Sequence, residues 1–363
     1  MNMIVTKALV RFSLAGAVAL GLGVSANALT TEEILNYKGA DRDKILTEGA
    51  KKEGQIIFYS AMIVNQALRP VAEGFMKKYP FLKATYWRGD SEDIAAKLTA
   101  EIRANNLVAD VVEGTGVGEM VIQSGLVQPY YTPVINEFPE KYRDPRNLWT
   151  PTRLSYFGVA YNTRLVKPED APKTYEDLLD PKWQGKLSWR IGSASGTPLF
   201  ITNVRMSMGE DKARDYFDKL AKQKIVNFGS GSARTLVDRV MAGEYPLALN
   251  IFAHHPLISK AKGAPVNTAL LDPVPTTAAT MVIPKGVKRP HAAMLLVDYI
   301  LSVEGQKVLA QAEYFPARLD VPPLDTIAGV VPRNAKVQEN FVGSEDLNKY
   351  TESSEAIFQE KFR

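Results

Sequence analysis

Strand-like and helix-like segments alternate along most of this chain, and that alternation restricts it to an α/β fold. Residues 55–59, Gln-Ile-Ile-Phe-Tyr, form a short apolar run of the kind found in a strand covered on both faces. The next segment, 65–79, carries Leu68, Val71, Phe75 and Met76 at helical spacing. The same reading gives strands at 83–87 and 109–112 and helices at 92–103 and 118–124. At 144–151 the sequence Asp-Pro-Arg-Asn-Leu-Trp-Thr-Pro interrupts the pattern and marks a connection between two lobes. Strands then follow at 156–161, 186–189, 247–251 and 279–283. Helices are expected within 198–222 and at 233–242, 256–262 and 290–312, with a charged terminal helix near 344–358.

The first residues concern location rather than fold. Lys7 and Arg11 precede an apolar run from Ser13 to Val24, and Ala26-Asn27-Ala28 supplies a small-x-small cleavage pattern. This is the form of a secretory signal peptide, so residues 1–28 are set apart and a mature chain is expected to begin at Leu29. The remaining length suits two domains. The full chain has 44 basic and 40 acidic residues, two of the basic ones in the signal segment, and no dense basic block. Nucleic acid is therefore an unsuitable partner. Cysteine is absent, so neither disulfides nor an N-terminal lipid can hold the mature protein. A soluble exported protein without an anchor points to the bacterial periplasm, and a freely diffusing carrier to a monomer.

In open α/β sheets, ligands bind beyond the carboxyl ends of strands, where helix starts present free N–H groups and favour anions. The loops at such places share small and hydroxyl residues. They include Ser60, Arg88 and Gly89, Glu113 and Thr115, Ser195 and Thr197, and the run Gly229, Ser230, Gly231, Ser232. Each could equally be a helix cap, but five of them divided between two lobes suggest a shared cleft. The Gly229–Ser232 run is the best single anion site, because its glycines permit close backbone approach. Arg88 and Arg190 at strand ends, with Arg153 between the lobes, could bind a carboxylate or phosphate bidentately or form surface ion pairs. Asp90 and Glu113 could pair with them or accept from ligand hydroxyls.

His254 and His255 are adjacent but lack an acidic or histidine partner at helical spacing, so they read as cleft-lining with Phe252 rather than as a zinc site. Tyr156 is expected to flank the ligand. No nucleophile elbow surrounds Ser195, no dinucleotide fingerprint is present, and thiol chemistry is impossible, so no catalytic residues and no cofactor are assigned.

An ordered series of segments resembles the periplasmic solute-binding proteins of ABC transporters, in the ferric-ion-binding-like branch of the type II group. The series comprises Ala109-Asp110-Val111-Val112, Gly125-Leu126-Val127-Gln128-Pro129-Tyr130 and Phe157-Gly158-Val159-Ala160-Tyr161-Asn162. It continues with Pro181-Lys182-Trp183-Gln184-Gly185-Lys186, Ser195-Gly196-Thr197, the stretch from Met241 to Ala248, and Ser302-Val303-Glu304-Gly305-Gln306. The resemblance implies two α/β lobes joined by crossing hinge strands, closing over a small solute and docking on an ABC permease and its ATPase in the inner membrane. It implies one lobe from 29–150 and 272–316, and a second from 151–271 and 317–363. Iron-binding relatives carry adjacent tyrosines shortly after the Gly-Glu-x-Pro segment. Here that stretch reads Asn250-Ile251-Phe252-Ala253-His254-His255, which departs from an iron site. A small organic anion bearing carboxylate, phosphate or phosphonate is the expected solute. Metal capture through His254, His255 and a carboxylate such as Glu113 stands as an alternative, as does an exported enzyme on the same scaffold.

Overall fold

The computed structural model describes residues 29–191, 195–229 and 231–363, so the expected signal peptide and Ser230 lie outside the described residues. The strands in the first part of the chain are β1 (Gln55–Ser60), β2 (Lys83–Arg88), β3 (Val111–Gly114), β4 (Val127–Gln128) and β5 (Thr150–Asn162). They are followed by β6 (Leu187–Arg190), β7 (Val226–Phe228), β8 (Leu247–Phe252) and β9 (Val266–Ala269). The last three are β10 (Val274–Pro284), β11 (Phe315–Pro316) and β12 (Glu339–Phe341).

The strands hydrogen-bond in the order β2-β1-β3-β10-β5-β8-β6-β7. The pairs β2–β1, β1–β3, β8–β6 and β6–β7 are parallel, as β-helix-β connections require, and the pairs β3–β10, β10–β5 and β5–β8 in the middle are antiparallel. β5 belongs to both lobes. Its first half pairs with β10 through Tyr156, and its second half pairs with β8 and β9 from Phe157 onward. The return crossing lies between β9 and β10. Gln306, fully buried, ties the crossing together: its amide donates to Thr152 O at 2.8 Å, and its carbonyl accepts from Ala317 N at 2.8 Å.

Two main cores flank this seam. The first packs Phe58, Val111 and Met281 against the helix Pro290–Leu301. The second packs Leu187, Trp189, Phe200 and Phe217 with Phe358 of the terminal helix Ser344–Lys361. Ile327, Val330 and Val331 pack into the first core together with Ala253 and Ile258, and β12 pairs with β10.

One helix also differs in form. The segment expected as a single helix begins as a π-turn, Val64–Leu68, and becomes α-helical over Arg69–Lys78. Pro70 sits at the junction and has no N–H to donate, so a regular α ladder cannot run through it.

Candidate functional site

A cavity of about 230 Å³ lies between the lobes, at the carboxyl ends of the parallel strands. The first lobe supplies Arg88 from the end of β2, Asp90, Ser91 and Glu92 at the start of the helix Ser91–Arg103, and Thr115 after β3. The hinge supplies Arg153 and Ser155 from β5, with Tyr314 just before β11. The second lobe supplies Arg190 from the end of β6, Ser195, Ser232 and Arg234, and the group Phe252, His254 and His255.

Alternation along β5 fixes which of its residues face this space. Residues two apart share a face, so Arg153 and Ser155 line the cavity while Leu154 and Tyr156 turn the other way. Tyr156 packs edge-on against Phe315, with ring centroids 4.7 Å apart. It does not flank the cleft, a correction to the expectation from sequence.

Arg153 is the buried cation at the base of the site. It is ion-paired to Glu113, and its guanidinium lies 4.9 Å from the centre of the Tyr314 ring. Glu113 is fully buried beneath it and also accepts from Ser60 Oγ at 2.5 Å and Thr152 Oγ1 at 3.0 Å. Ser60 Oγ in turn accepts from Met62 N. Glu113 and Ser60 therefore hold Arg153 from below and do not line the cavity, because their polar atoms are spent on one another. Burial lowers the Arg153 pKa, countered in part by Tyr314.

Arg190 donates to Ser195 Oγ, and among the described residues it forms no ion pair. Burial lowers its pKa, while Glu92 and Asp90 on the facing lobe oppose the shift. Arg88 pairs with Asp90 at 2.6 Å and Arg234 with Asp238 at 3.2 Å, both partly exposed. The cavity thus presents four guanidinium groups against the carboxylates of Asp90 and Glu92.

Between these cations lie polar atoms with nothing to bond. Thr115 Oγ1, both ring nitrogens of His254, and Nδ1 of His255 are buried and without a hydrogen-bond partner among the described residues. His254 is 2% exposed and packed edge-on against His255, Tyr314 and Phe315. Burial drives the His254 pKa well below its ordinary value, helped by His255, Arg153 and Arg234. Burial likewise takes His255 down to about 3, helped by Arg234 and Arg190. Both imidazoles are therefore neutral, each able to donate one hydrogen bond and accept another. Orphaned buried polar groups cost free energy, and a ligand that satisfies them recovers it.

Among the residues expected to bind, Arg88, Thr115, Arg190, Ser195, Ser232, Phe252 and His254 come together on the cavity, and His255 joins them. Gly89, Thr197, Gly229 and Gly231 are not among the lining residues. Thr197 is fully buried at the start of the helix Thr197–Met208. Ser232 caps the helix Ala233–Ala242 by accepting from Thr235 N at 3.1 Å, so capping accounts for its own loop contacts. Ser155, Arg234 and Tyr314 were not anticipated. Arg234 sits on a helix start beside an expected loop and could have been found by that signal; Tyr314 has none. No group of three or more His, Cys, Asp or Glu that could hold a metal occurs among the described residues.

Residues 107–339 match the family of bacterial extracellular solute-binding proteins. An uncharacterized protein from Haemophilus influenzae is 28% identical over 71% of this chain and 76% of its own length. Iron uptake protein A1 from Synechocystis is 23% identical over 85% and 88%. A putative 2-aminoethylphosphonate-binding periplasmic protein from Salmonella typhi is 25% identical over 50% of this chain and 55% of its own length. Among solved structures, the periplasmic binding protein AfuA from Actinobacillus pleuropneumoniae, with fructose-6-phosphate bound, aligns with a TM-score of 0.70 at 25% identity. That alignment covers 85% of this chain and 99% of AfuA. The Trichodesmium protein FutA with iron and citrate gives the same TM-score at 19% identity, over 85% and 100%. The chain therefore belongs to the bacterial extracellular solute-binding proteins and has the type II periplasmic binding fold.

Proposed function

We propose that this protein is the periplasmic binding component of an ABC importer and captures a small organic anion by closure of its two lobes. The observation that carries the reading is the convergence of Arg88, Arg153, Arg190 and Arg234 on one interlobe cavity that also holds unpartnered Thr115 and His254 atoms. Charge-assisted hydrogen bonds from arginine are among the strongest available to a carboxylate or phosphate. The unpartnered hydroxyl and imidazoles would orient the rest of the solute. Because Arg88 and Arg190 come from opposite lobes, an anion bound to both favours the closed form. The relatives named for a phosphonate and bound to a sugar phosphate support the same ligand class.

Metal capture through His254 and His255 has weaker support, although relatives are named for iron. A cation would enter between four arginines, and Glu113 is already engaged by Arg153, Ser60 and Thr152. The test is thermal unfolding of the mature protein against organic acids, phosphate esters, phosphonates, polyamines, neutral sugars and metal ions. A ligand at about 100 times its Kd adds about 2.7 kcal/mol. A raised midpoint with carboxylates or phosphorus oxyanions alone is the expected result; a response to metals alone would overturn the reading.

A further inference from the structure

A second cavity, of about 180 Å³, backs directly onto the first. The two share the hinge strands: Ser155 and Tyr314 face the interlobe cleft, while their chain neighbours Tyr156 and Phe315 face this second space. Its walls include Tyr142, Tyr156, Phe315 and Val331 together with the charged Lys141 and Arg318, and Arg333 stands at its exposed mouth. Tyr156 is 5% exposed, yet its hydroxyl makes no hydrogen bond to any described residue. Arg333 has no ion-pair partner among the described residues. The wall carboxylate Glu339 is already engaged, by Lys141 at 2.8 Å and by the Tyr142 hydroxyl at 3.0 Å.

We propose that this cavity is a second binding site, for a small apolar monocarboxylate whose ring or branched chain enters the aromatic walls and whose carboxylate meets Arg333 and the Tyr156 hydroxyl. A cavity of about 150 Å³ lined by apolar side chains admits a benzene-sized molecule. The space here is therefore sufficient for one ring with a carboxylate. A multiply charged solute suited to the cleft is a poor match, because Arg333 is the unpaired charge on a lining whose Lys141 and Glu339 pair with each other and whose Arg318 pairs with Asp320. The inference does not depend on what the cleft binds.

Benzoate is the probe, titrated into the mature protein with the Kd read by calorimetry. Three variants separate the two cavities: Arg333→Ala and Tyr156→Phe for the second, and Arg190→Ala for the cleft. Saturable binding that Arg333→Ala weakens by about tenfold or more, that Tyr156→Phe also weakens, and that Arg190→Ala leaves unchanged is the expected result. Binding weakened by Arg190→Ala and indifferent to Arg333→Ala places benzoate in the cleft and overturns the proposal. Absence of saturable binding to the wild-type protein overturns it as well, without bearing on anion capture by the cleft.

Discussion

Replacing Glu113 by Gln changes one atom of a fully buried side chain and removes the countercharge of Arg153. The amide presents an N–H where the carboxylate accepted from Ser60 and Thr152, so one of those hydroxyls loses its acceptor at position 113, although Thr152 keeps a second one in Ala279 O at 3.2 Å. Breaking a buried ion pair from one side costs about 3–5 kcal/mol, because the remaining charge stays buried and uncompensated. At about 2 °C per kcal/mol for a protein of this size, the midpoint should fall by about 6–10 °C. The assay is calorimetric unfolding of wild type, Glu113→Gln and Glu113→Gln/Arg153→Met. The double variant should recover most of the loss, since an apolar residue of similar volume replaces the stranded cation. In the single variant a bound anion becomes the main countercharge of Arg153, so the cleft ligand should raise the midpoint further than it does in wild type. A single variant destabilised by less than about 1 kcal/mol, or one that the double variant fails to rescue, would refute this account of the cleft floor.

Other consequences follow from the same geometry. His255 has a folded pKa near 3 against about 6.5 when unfolded, so unfolding takes up a proton. The stability this group contributes is complete above about pH 6.5 and is lost as pH falls toward 3, by about 1.4 kcal/mol per unit. His255→Asn should flatten that part of the stability profile, as read from urea melts at a series of pH values; an unchanged slope would contradict the neutral imidazole. Thr115→Val should weaken solute binding about fivefold with an unchanged midpoint, because the Thr115 hydroxyl has no bond to lose among the described residues. At Gly158 an added Cβ would stand 2.6 Å from the carbonyl oxygen of Ala269, so Gly158→Ala should cost about 1–3 kcal/mol by forcing the hinge strand from β9. Exported protein should have its N-terminus at Leu29 by mass, and retention of residues 1–28 would refute the signal peptide.

The strand–helix order was legible in the sequence because each segment carried its own periodicity, and β1, β2 and the helix Ser91–Arg103 fall where apolar spacing put them. The direction of side chains on the hinge strand was not. β5 is buried along its whole length, so the run Ser155-Tyr156-Phe157 has no polar–apolar alternation to say which face meets the cleft. Sequence alone therefore does not separate Tyr156, which faces away from the cleft, from Ser155, which lines it. Glu113 illustrates a different limit. A carboxylate at a strand end can contact a ligand or hold an arginine, and the choice depends on Arg153, which is distant in sequence and adjacent only after β10 inserts between β3 and β5. Arg88 and Arg190 were visible as cleft residues because strand ends in an α/β sheet have a known position relative to the ligand.

The central claim is that cleft arginines from both lobes capture an anion. The measurement that tests it most directly is calorimetric titration of the anion selected by the thermal panel into wild type and Arg190→Ala, at low and high salt. The account predicts one site per chain and a Kd raised about tenfold or more in the variant. Undiminished affinity in Arg190→Ala, or stoichiometric binding of a metal ion with no anion requirement, would contradict it.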